Sequence, residues 1–225
     1  MLRRAAVTAV LVSAAVGCGD TRRDTDMSSD VAVVDVRATG CGPRARLGVG
    51  TAIDDGLIVT AAHVVAGADS IAVTSLDGSP GDATVVFIDD DLDVAALRTD
   101  LDVGTPLELR LEPVVADTPA SLTLPARGDR DAHTFDVEIV RPVNIRTTDI
   151  YLDDDVERHG VEVAATVEPG DSGAMVVVDG RGAGIIWARS TIDGDRAWTV
   201  DIPEILRDPV SRAALVDEID PGACP

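Results

Sequence analysis

The stretch that decides the fold runs from Gly48 to Val65 and reads GVGTAIDDGLIVTAAHVV. Gly48–Ile53 and Leu57–Thr60 are short runs rich in Val, Ile and Thr, and Asp54-Asp55-Gly56 lies between them. Asp-Gly between two apolar runs is a strong hairpin signal, because glycine adopts the positive φ that tight hairpin turns demand. Working outward, Leu76-Asp77-Gly78 and Val178-Asp179-Gly180 repeat the pattern. Short β-branched runs bounded by Gly, Asp and Pro predict strands at Val31–Arg37, Gly48–Ile53, Leu57–Thr60, Ser70–Leu76, Ala83–Ile88 and Val94–Arg98. A second set follows at Ser121–Leu124, Thr134–Arg146, Ile150–Leu152, Val161–Thr166, Ala174–Val178, Gly182–Ala188 and Ala197–Asp201. The loop-like segment Leu101–Val114 divides the two sets. Strands at this spacing, with no long amphipathic helix between them, predict an all-β protein built of antiparallel barrels or a sandwich. Only at the end does a helix read through: Asp208-Pro209 is an N-cap followed by Pro at the first helical position. The apolar spacing after it predicts a helix over about 209–219.

Composition agrees with that body. Of the 225 residues, 45% are hydrophobic and only 2% aromatic, so the core must rest on Val, Ile, Leu and Ala. The net charge is -21, and all basic residues are Arg. So acidic a chain repels phosphate backbones, which argues against nucleic acid as a partner.

The N-terminus is Met1-Leu2-Arg3-Arg4 followed by an apolar run from Ala5 to Gly17. This is a basic region and a hydrophobic region of signal-peptide length, too short to span a bilayer. Ala15-Val16-Gly17 before Cys18 is similar to a bacterial lipobox, with Ala15 where Leu is usual. Two readings stand for residues 1–18: a signal peptide and lipobox cleaved before Cys18, which becomes the lipidated first residue of the mature protein, or an ordinary signal peptide cleaved near Gly17. Either one makes the expected location the cell envelope or the extracellular or periplasmic space, with membrane contact only through lipid on Cys18. Residues 19–30 (GDTRRDTDMSSD) are nearly free of apolar side chains and read as a flexible tether.

If Cys18 carries lipid, Cys41 and Cys224 remain. Export permits a disulfide, and two thiols allow one intramolecular bridge. Closing so long a loop would stabilise by roughly 4 kcal/mol, less if strained. Two unpaired thiols are the other possibility.

Three segments carry the chemistry. Pro169-Gly170-Asp171-Ser172-Gly173-Ala174 is a turn whose glycines would expose a serine hydroxyl and let the amides of Gly170 and Ser172 point the same way. Such a pair can hold an oxyanion, though Gly-Asp-Ser-Gly is also a good plain surface turn. A serine nucleophile needs a base. His63 follows a long apolar approach, whereas His133 and His159 lie in polar, turn-like surroundings. An orienting carboxylate is also needed. Asp93 enters the apolar run Val94-Ala95-Ala96-Leu97 and must find a partner there. Asp89, Asp90 and Asp91 read as a solvated turn, with a calcium site as the lesser alternative. All three histidines precede Ser172, which excludes the order Ser…Asp…His of the α/β-hydrolases. The order His, Asp, Ser on a β-rich chain leaves the chymotrypsin arrangement.

Thr60-Ala61-Ala62-His63, Asp91-Leu92-Asp93-Val94-Ala95-Ala96-Leu97 and Gly170-Asp171-Ser172-Gly173 resemble the histidine, aspartate and serine motifs of the chymotrypsin-like (trypsin-like) serine proteases. Gly184-Ile185-Ile186-Trp187 resembles the strand that flanks the substrate. The likeness covers about Val31 to Ile219. It implies two six-stranded antiparallel barrels, over about 31–112 and 113–205, with a C-terminal helix and a cleft holding a His63–Asp93–Ser172 triad. It also implies a protein or peptide substrate, no cofactor and no metal, and a monomer. By the same likeness Thr166, six residues before the serine, would floor the primary pocket, with Trp187 and Arg189 beside it. A neutral floor argues against selection for basic residues, and Arg189 would favour an acidic one. The family's disulfide beside the histidine is missing at both ends, since Val64 follows His63 and Gly48-Val49-Gly50-Thr51 has no Cys. The Ile-Val-Gly-Gly start that elsewhere pairs with the acid before the serine is absent too, so Asp171 needs another partner, such as an Arg. Ala174 stands where Gly is usual. The alternative function is a catalytically inactive, protease-like binding module on the cell envelope; a structural lipoprotein without a site would leave three ordered motifs as coincidence.

Overall fold

A computed structural model describes residues 32–225. The expected leader, Cys18 and the tether lie outside the described residues. Twelve strands form two closed six-stranded barrels, all neighbours antiparallel. The first contains β1 (Val33–Gly40), β2 (Gly42–Asp54), β3 (Leu57–Ala61), β4 (Ser70–Ser75), β5 (Pro80–Asp89) and β6 (Val94–Thr99), in the order β1-β2-β3-β6-β5-β4. The second contains β7 (Pro119–Leu124), β8 (His133–Thr148), β9 (Asp155–Ala164), β10 (Met175–Val178), β11 (Arg181–Arg189) and β12 (Arg196–Val200), in the order β10-β11-β12-β9-β8-β7. A closed sheet leaves no strand edge unpaired, and its interior takes every second side chain. With so few aromatics, that interior is aliphatic: Val36, Ile58, Leu97 and Val73 in the first barrel, Leu122, Ile139, Val163 and Val176 in the second, each fully buried.

The Asp-Gly turns close hairpins as expected. Asp179 and Gly180 both have positive φ, 51° and 74°, the geometry of a two-residue turn between β10 and β11. One expected strand is absent. Ile150–Leu152 is the turn between β8 and β9, with Leu152 at φ 65° and exposed. The Asp149 carboxylate causes this: its Oδ1 accepts from the amides of Tyr151 and Asp153, bonds a strand would have spent on a neighbour.

A single helical turn, α1 (Ala62–Val65), follows β3. After β12 come α2 (Glu204–Arg207) and α3 (Pro209–Ala213), the latter capped by Asp208, whose side chain accepts from the Ser211 amide. The helix expected to reach residue 219 stops at Ala213. Beyond it the chain gives up helical bonds for bonds to the first barrel: Leu215 O accepts from Arg98 Nε, Ile219 N donates to Val85 O, and Pro221 O accepts from Gly67 N. A Cys41–Cys224 disulfide then ties the tail to the β1–β2 hairpin across 183 positions. No helix among the described residues is long and apolar enough to cross a membrane.

The denatured, unreduced protein is expected to show no reactive thiol at Cys41 or Cys224. Cys41→Ser/Cys224→Ser should lower the melting temperature by on the order of 10 °C in a thermal scan, through release of the loop constraint. Two reactive thiols in the denatured protein would contradict the bridge.

Candidate active site

The register of the first barrel brings His63 and Asp93 together. Ala61 at the end of β3 pairs with Val94 at the start of β6, so the residues just beyond both strand ends meet at one corner. Ala61 precedes α1 and has no side chain to cap it. Asp93 does that work from the neighbouring strand. Its carbonyl accepts from the Ala62 amide at 3.1 Å, and its Oδ1 accepts from the His63 amide at 2.8 Å. Its Oδ2 lies 2.8 Å from His63 Nδ1. Asp93 reaches this pose at φ 60°, a conformation Asp tolerates better than most residues. The carboxylate is buried, whereas the His63 ring is about one-third exposed. The ring is therefore oriented from behind while its other nitrogen stays open.

Ser172 sits in the turn before β10. The turn runs beside β11: Gly173 N donates to Ile186 O at 2.7 Å, and Ile186 N donates to Ala174 O at 2.9 Å. The Ala174 methyl is fully buried in the second barrel's core, so the departure from Gly is accommodated. Ser172 O accepts from Val49 N of β2 at 2.8 Å, which seats the turn against the first barrel. A Cβ on Gly173 would lie 2.1 Å from Val49 O and 2.6 Å from Thr60 Oγ1, so only glycine permits that approach. Gly48 sits face to face with Val64, whose methyl would be 2.7 Å from a Cβ there.

Asp171 is fully buried, and two arginines of the β7–β8 loop answer it. Arg130 donates through both Nη atoms, at 2.8 and 3.1 Å, and Arg127 Nη1 lies 3.7 Å away. The Asp171 carboxylate holds the Arg130 guanidinium above its ordinary pKa, with partial burial opposing. Arg127 also pairs with Asp35 of β1 and donates to Gly48 O of β2 at 3.0 Å. A Cβ on Gly170, at φ 103°, would lie 2.5 Å from Arg127 Nη1. The turn is thus shaped from inside by two cations. Among the described hydrogen bonds, the amides of Gly170 and Ser172 donate to nothing, although their neighbours Asp171, Gly173 and Ala174 all donate. Two unspent amides flanking Asp171 in a half-buried turn are ready donors for an anion. No described hydrogen bond joins the Ser172 hydroxyl to His63; contacts of this kind commonly tighten only when substrate binds.

Trp187 is half-buried at the bulge of β11 between Ile186 and Ala188, its Nε1 without a partner. Thr166 and Arg189 are both exposed, Thr166 in the segment after β9 and Arg189 at the end of β11. His133 and His159 are exposed as well, on β8 and β9, with no share in the His63 corner. Among the described residues no three His, Cys, Asp or Glu side chains form a metal-holding group. Sequence reasoning missed Arg158 of β9, which is buried and reaches toward Asp93. The period-two pattern of β9 gave no signal for it: Arg158 is in phase with Gly160 and Glu162, on the face opposite Val161 and Val163 of the second barrel's core, so only the packing of the first barrel against that face buries it.

A two-barrel fold with a buried Asp paired to a partly exposed His and a glycine-bounded serine turn at the junction defines the chymotrypsin-like class. Residues 48–185 match the family described as trypsin-like peptidase domain, and the chain belongs to that family. Among curated proteins, the serine protease Rv3671c of Mycobacterium tuberculosis is 29% identical over 182 residues, covering 79% of this chain and 44% of that protein. The chain therefore spans less than half the length of this relative. The active-form crystal structure of the Rv3671c protease superposes with a TM-score of 0.75 at 27% identity, covering 85% of each chain. Its inactive form superposes with a TM-score of 0.65 at 28% identity, covering 76% of this chain and 83% of that one. The HtrA-type protease AlgW with a tripeptide shares the fold, with a TM-score of 0.63 at 24% identity over 76% of this chain and 56% of that one.

The turn that carries Asp93 contains a testable electrostatic cost. Asp89 Oδ1 accepts from the Leu92 amide at 2.8 Å, while Asp90 and Asp91 are exposed. Burial pushes the Asp89 carboxyl up from its ordinary value, the Leu92 amide opposes this, and Asp91 and Asp90 add to the rise. A carboxyl with a raised folded pKa binds protons more readily folded than unfolded. It therefore costs stability once the pH passes the unfolded value of about 4, and costs nothing well below it. Asp89→Asn, which keeps an oxygen for Leu92, is expected to raise the melting temperature at pH 7 and not at pH 3.

Proposed function

We propose that this chain is a serine endopeptidase in which Ser172 is the nucleophile, His63 the general base and Asp93 the residue that orients it. The observation that carries the reading is the 2.8 Å bond from His63 Nδ1 to the buried Asp93, made from a strand-end corner that leaves Nε2 open. Ser172 Oγ attacks the scissile carbonyl while His63 Nε2 takes its proton. Asp93 holds the proton on Nδ1 and offsets the imidazolium charge. The carbonyl oxygen gathers negative charge and enters the turn, where the Gly170 and Ser172 amides donate to it. Such a donor is worth roughly 3–4 kcal/mol in the transition state. His63 then protonates the leaving amine, and water activated by the same ring releases the acyl group from Ser172.

Two findings favour turnover over a binding module. The amides of Gly170 and Ser172 are unspent, and the chain overlaps the active form of the Rv3671c protease more fully than the inactive form. Asp171 is held by Arg130 and Arg127, so the turn has no need of a newly freed N-terminal amine. The substrate is a protein or peptide. Thr166 and Arg189 remain the residues proposed to border the primary pocket, with Trp187 beside them. Residues 1–30 are proposed to direct export, with Cys18 as the lipid attachment point.

A fluorophosphonate probe should label the wild-type protein and not Ser172→Ala, and that substitution should lower kcat by several orders of magnitude. Equal behaviour of the two proteins toward probe and substrate would sink the proposal. A peptide-library profile should show no preference for Arg or Lys at the cleavage site; a clear basic preference would remove Thr166 and Arg189 from the pocket.

A further inference from the structure

We propose that Arg158 is a positioning residue for Asp93, fixing the acid's place and setting the charge balance of the Asp93–His63 pair from the opposite barrel. This rests on the reading of Asp93 and His63 given above. Arg158 belongs to β9 of the second barrel, while both partners belong to the first. Its side chain is 3% exposed, among the most buried charged groups of the protein. Each nitrogen of its guanidinium faces an oxygen. Nε donates to Asp91 O at 2.7 Å, and Nη2 faces Thr148 O at 3.3 Å and Asp90 O at 3.5 Å. Nη1 lies 3.9 Å from Asp93 Oδ2, the oxygen that also faces His63 Nδ1. One face of the group stacks on Trp187, with its central carbon 4.6 Å from the ring centroid.

This arrangement does two things. The carbonyls of Asp90 and Asp91 belong to the turn that delivers Asp93, so Arg158 holds that turn against the second barrel. The Asp93 carboxylate, removed from water, also gains a fixed cation beside the oxygen it offers to His63. At 3.9 Å this is a Coulombic contact rather than a hydrogen bond. The other groups facing Arg158 are the carboxylates of Asp89 at the end of β5, of Asp91 on the β5–β6 turn and of Asp149 on the β8–β9 turn, the Asp90 carbonyl, and the neutral ring of Trp187. Burial lowers the guanidinium's pKa, and Asp93 first among the acids opposes this; a guanidinium stays charged in proteins all the same. The sign of its effect on His63 follows. A cation beside Asp93 weakens the carboxylate's hold on a protonated ring. Without it, His63 would keep its proton to higher pH, and less of the general base would be free at neutral pH.

The test uses Ser172→Ala protein, so that no turnover is involved. NMR titration follows the His63 ring. Arg158→Met is expected to raise its midpoint by about one pH unit, and Arg158→Lys, which keeps a cation, by less than half as much. With Ser172 restored, the acid limb of the kcat/KM profile should move up with the NMR midpoint. A folded Arg158→Met protein with an unmoved His63 midpoint would overturn the inference. If the Met variant does not fold, Arg158→Lys carries the test, and a rise there of a full unit would assign the effect to geometry and overturn the claim for charge. Failure of the protease reading would show separately, as absent probe labelling of wild-type protein, and would leave the NMR result standing.

Discussion

Two closed barrels could each bury a core without ever meeting. What makes them one site is the approach of the serine turn to β2, where Val49 N donates to Ser172 O at 2.8 Å. That bond requires backbone against backbone. Gly173 permits it from one side, and Gly48 from the other, where a Cβ would lie 3.1 Å from the same carbonyl. Thr60 Oγ1 donates to Val49 O and so locks β3 to the same point. Since β3 leads directly into α1, the strand that receives Ser172 is also tied to the helical turn that carries His63. The geometry of the cleft thus depends on a few small side chains at the seam.

The second requirement is electrostatic. Asp93 and Asp171 are both buried beside the seam, and neither has more than 4% of its side chain exposed. An unanswered carboxylate in such a place is costly. Each is answered by arginine from the second barrel: Arg158 for Asp93, Arg130 and Arg127 for Asp171. The planar fork of arginine suits this role, because it serves a carboxylate and several carbonyls at once. Arg127 shows this best, joining Asp35 and Gly48 O of the first barrel to Asp171 of the second. In a chain whose basic residues are all Arg, scarce cations are placed where buried acids need them. The C-terminal tail adds a covalent brace, returning from the second barrel to end in the disulfide at Cys41.

Hydrophobic period, Asp-Gly turns and motif order are short-range signals, and by themselves they determined most of the architecture. Strand against turn can be read from a few residues, because the choice is made by local backbone sterics and by which face is apolar. They located ten of the twelve strands near their observed positions, with Gly48–Ile53 marking only the later part of β2 and Val161–Thr166 only the end of β9. The failures were those of local reading against longer-range bonds. Ile150–Leu152 has the side chains of a strand, but Asp149 bends it, and the helix after Pro209 is cut short by bonds to Val85, Arg98 and Gly67. The His63–Asp93 pair could be proposed from context, since Asp93 precedes an apolar run. The Asp171 acid was seen to need a partner without that partner being identifiable. Only the docking of the barrels decided that Arg158 stands behind Asp93, 65 positions away in the chain, whereas Arg130 reaches Asp171, 41 away, through closure of the second barrel, where β7 pairs with β10. A charge pair across a seam leaves no period in the sequence; it exists only once two independently closed sheets have been set at one distance and angle.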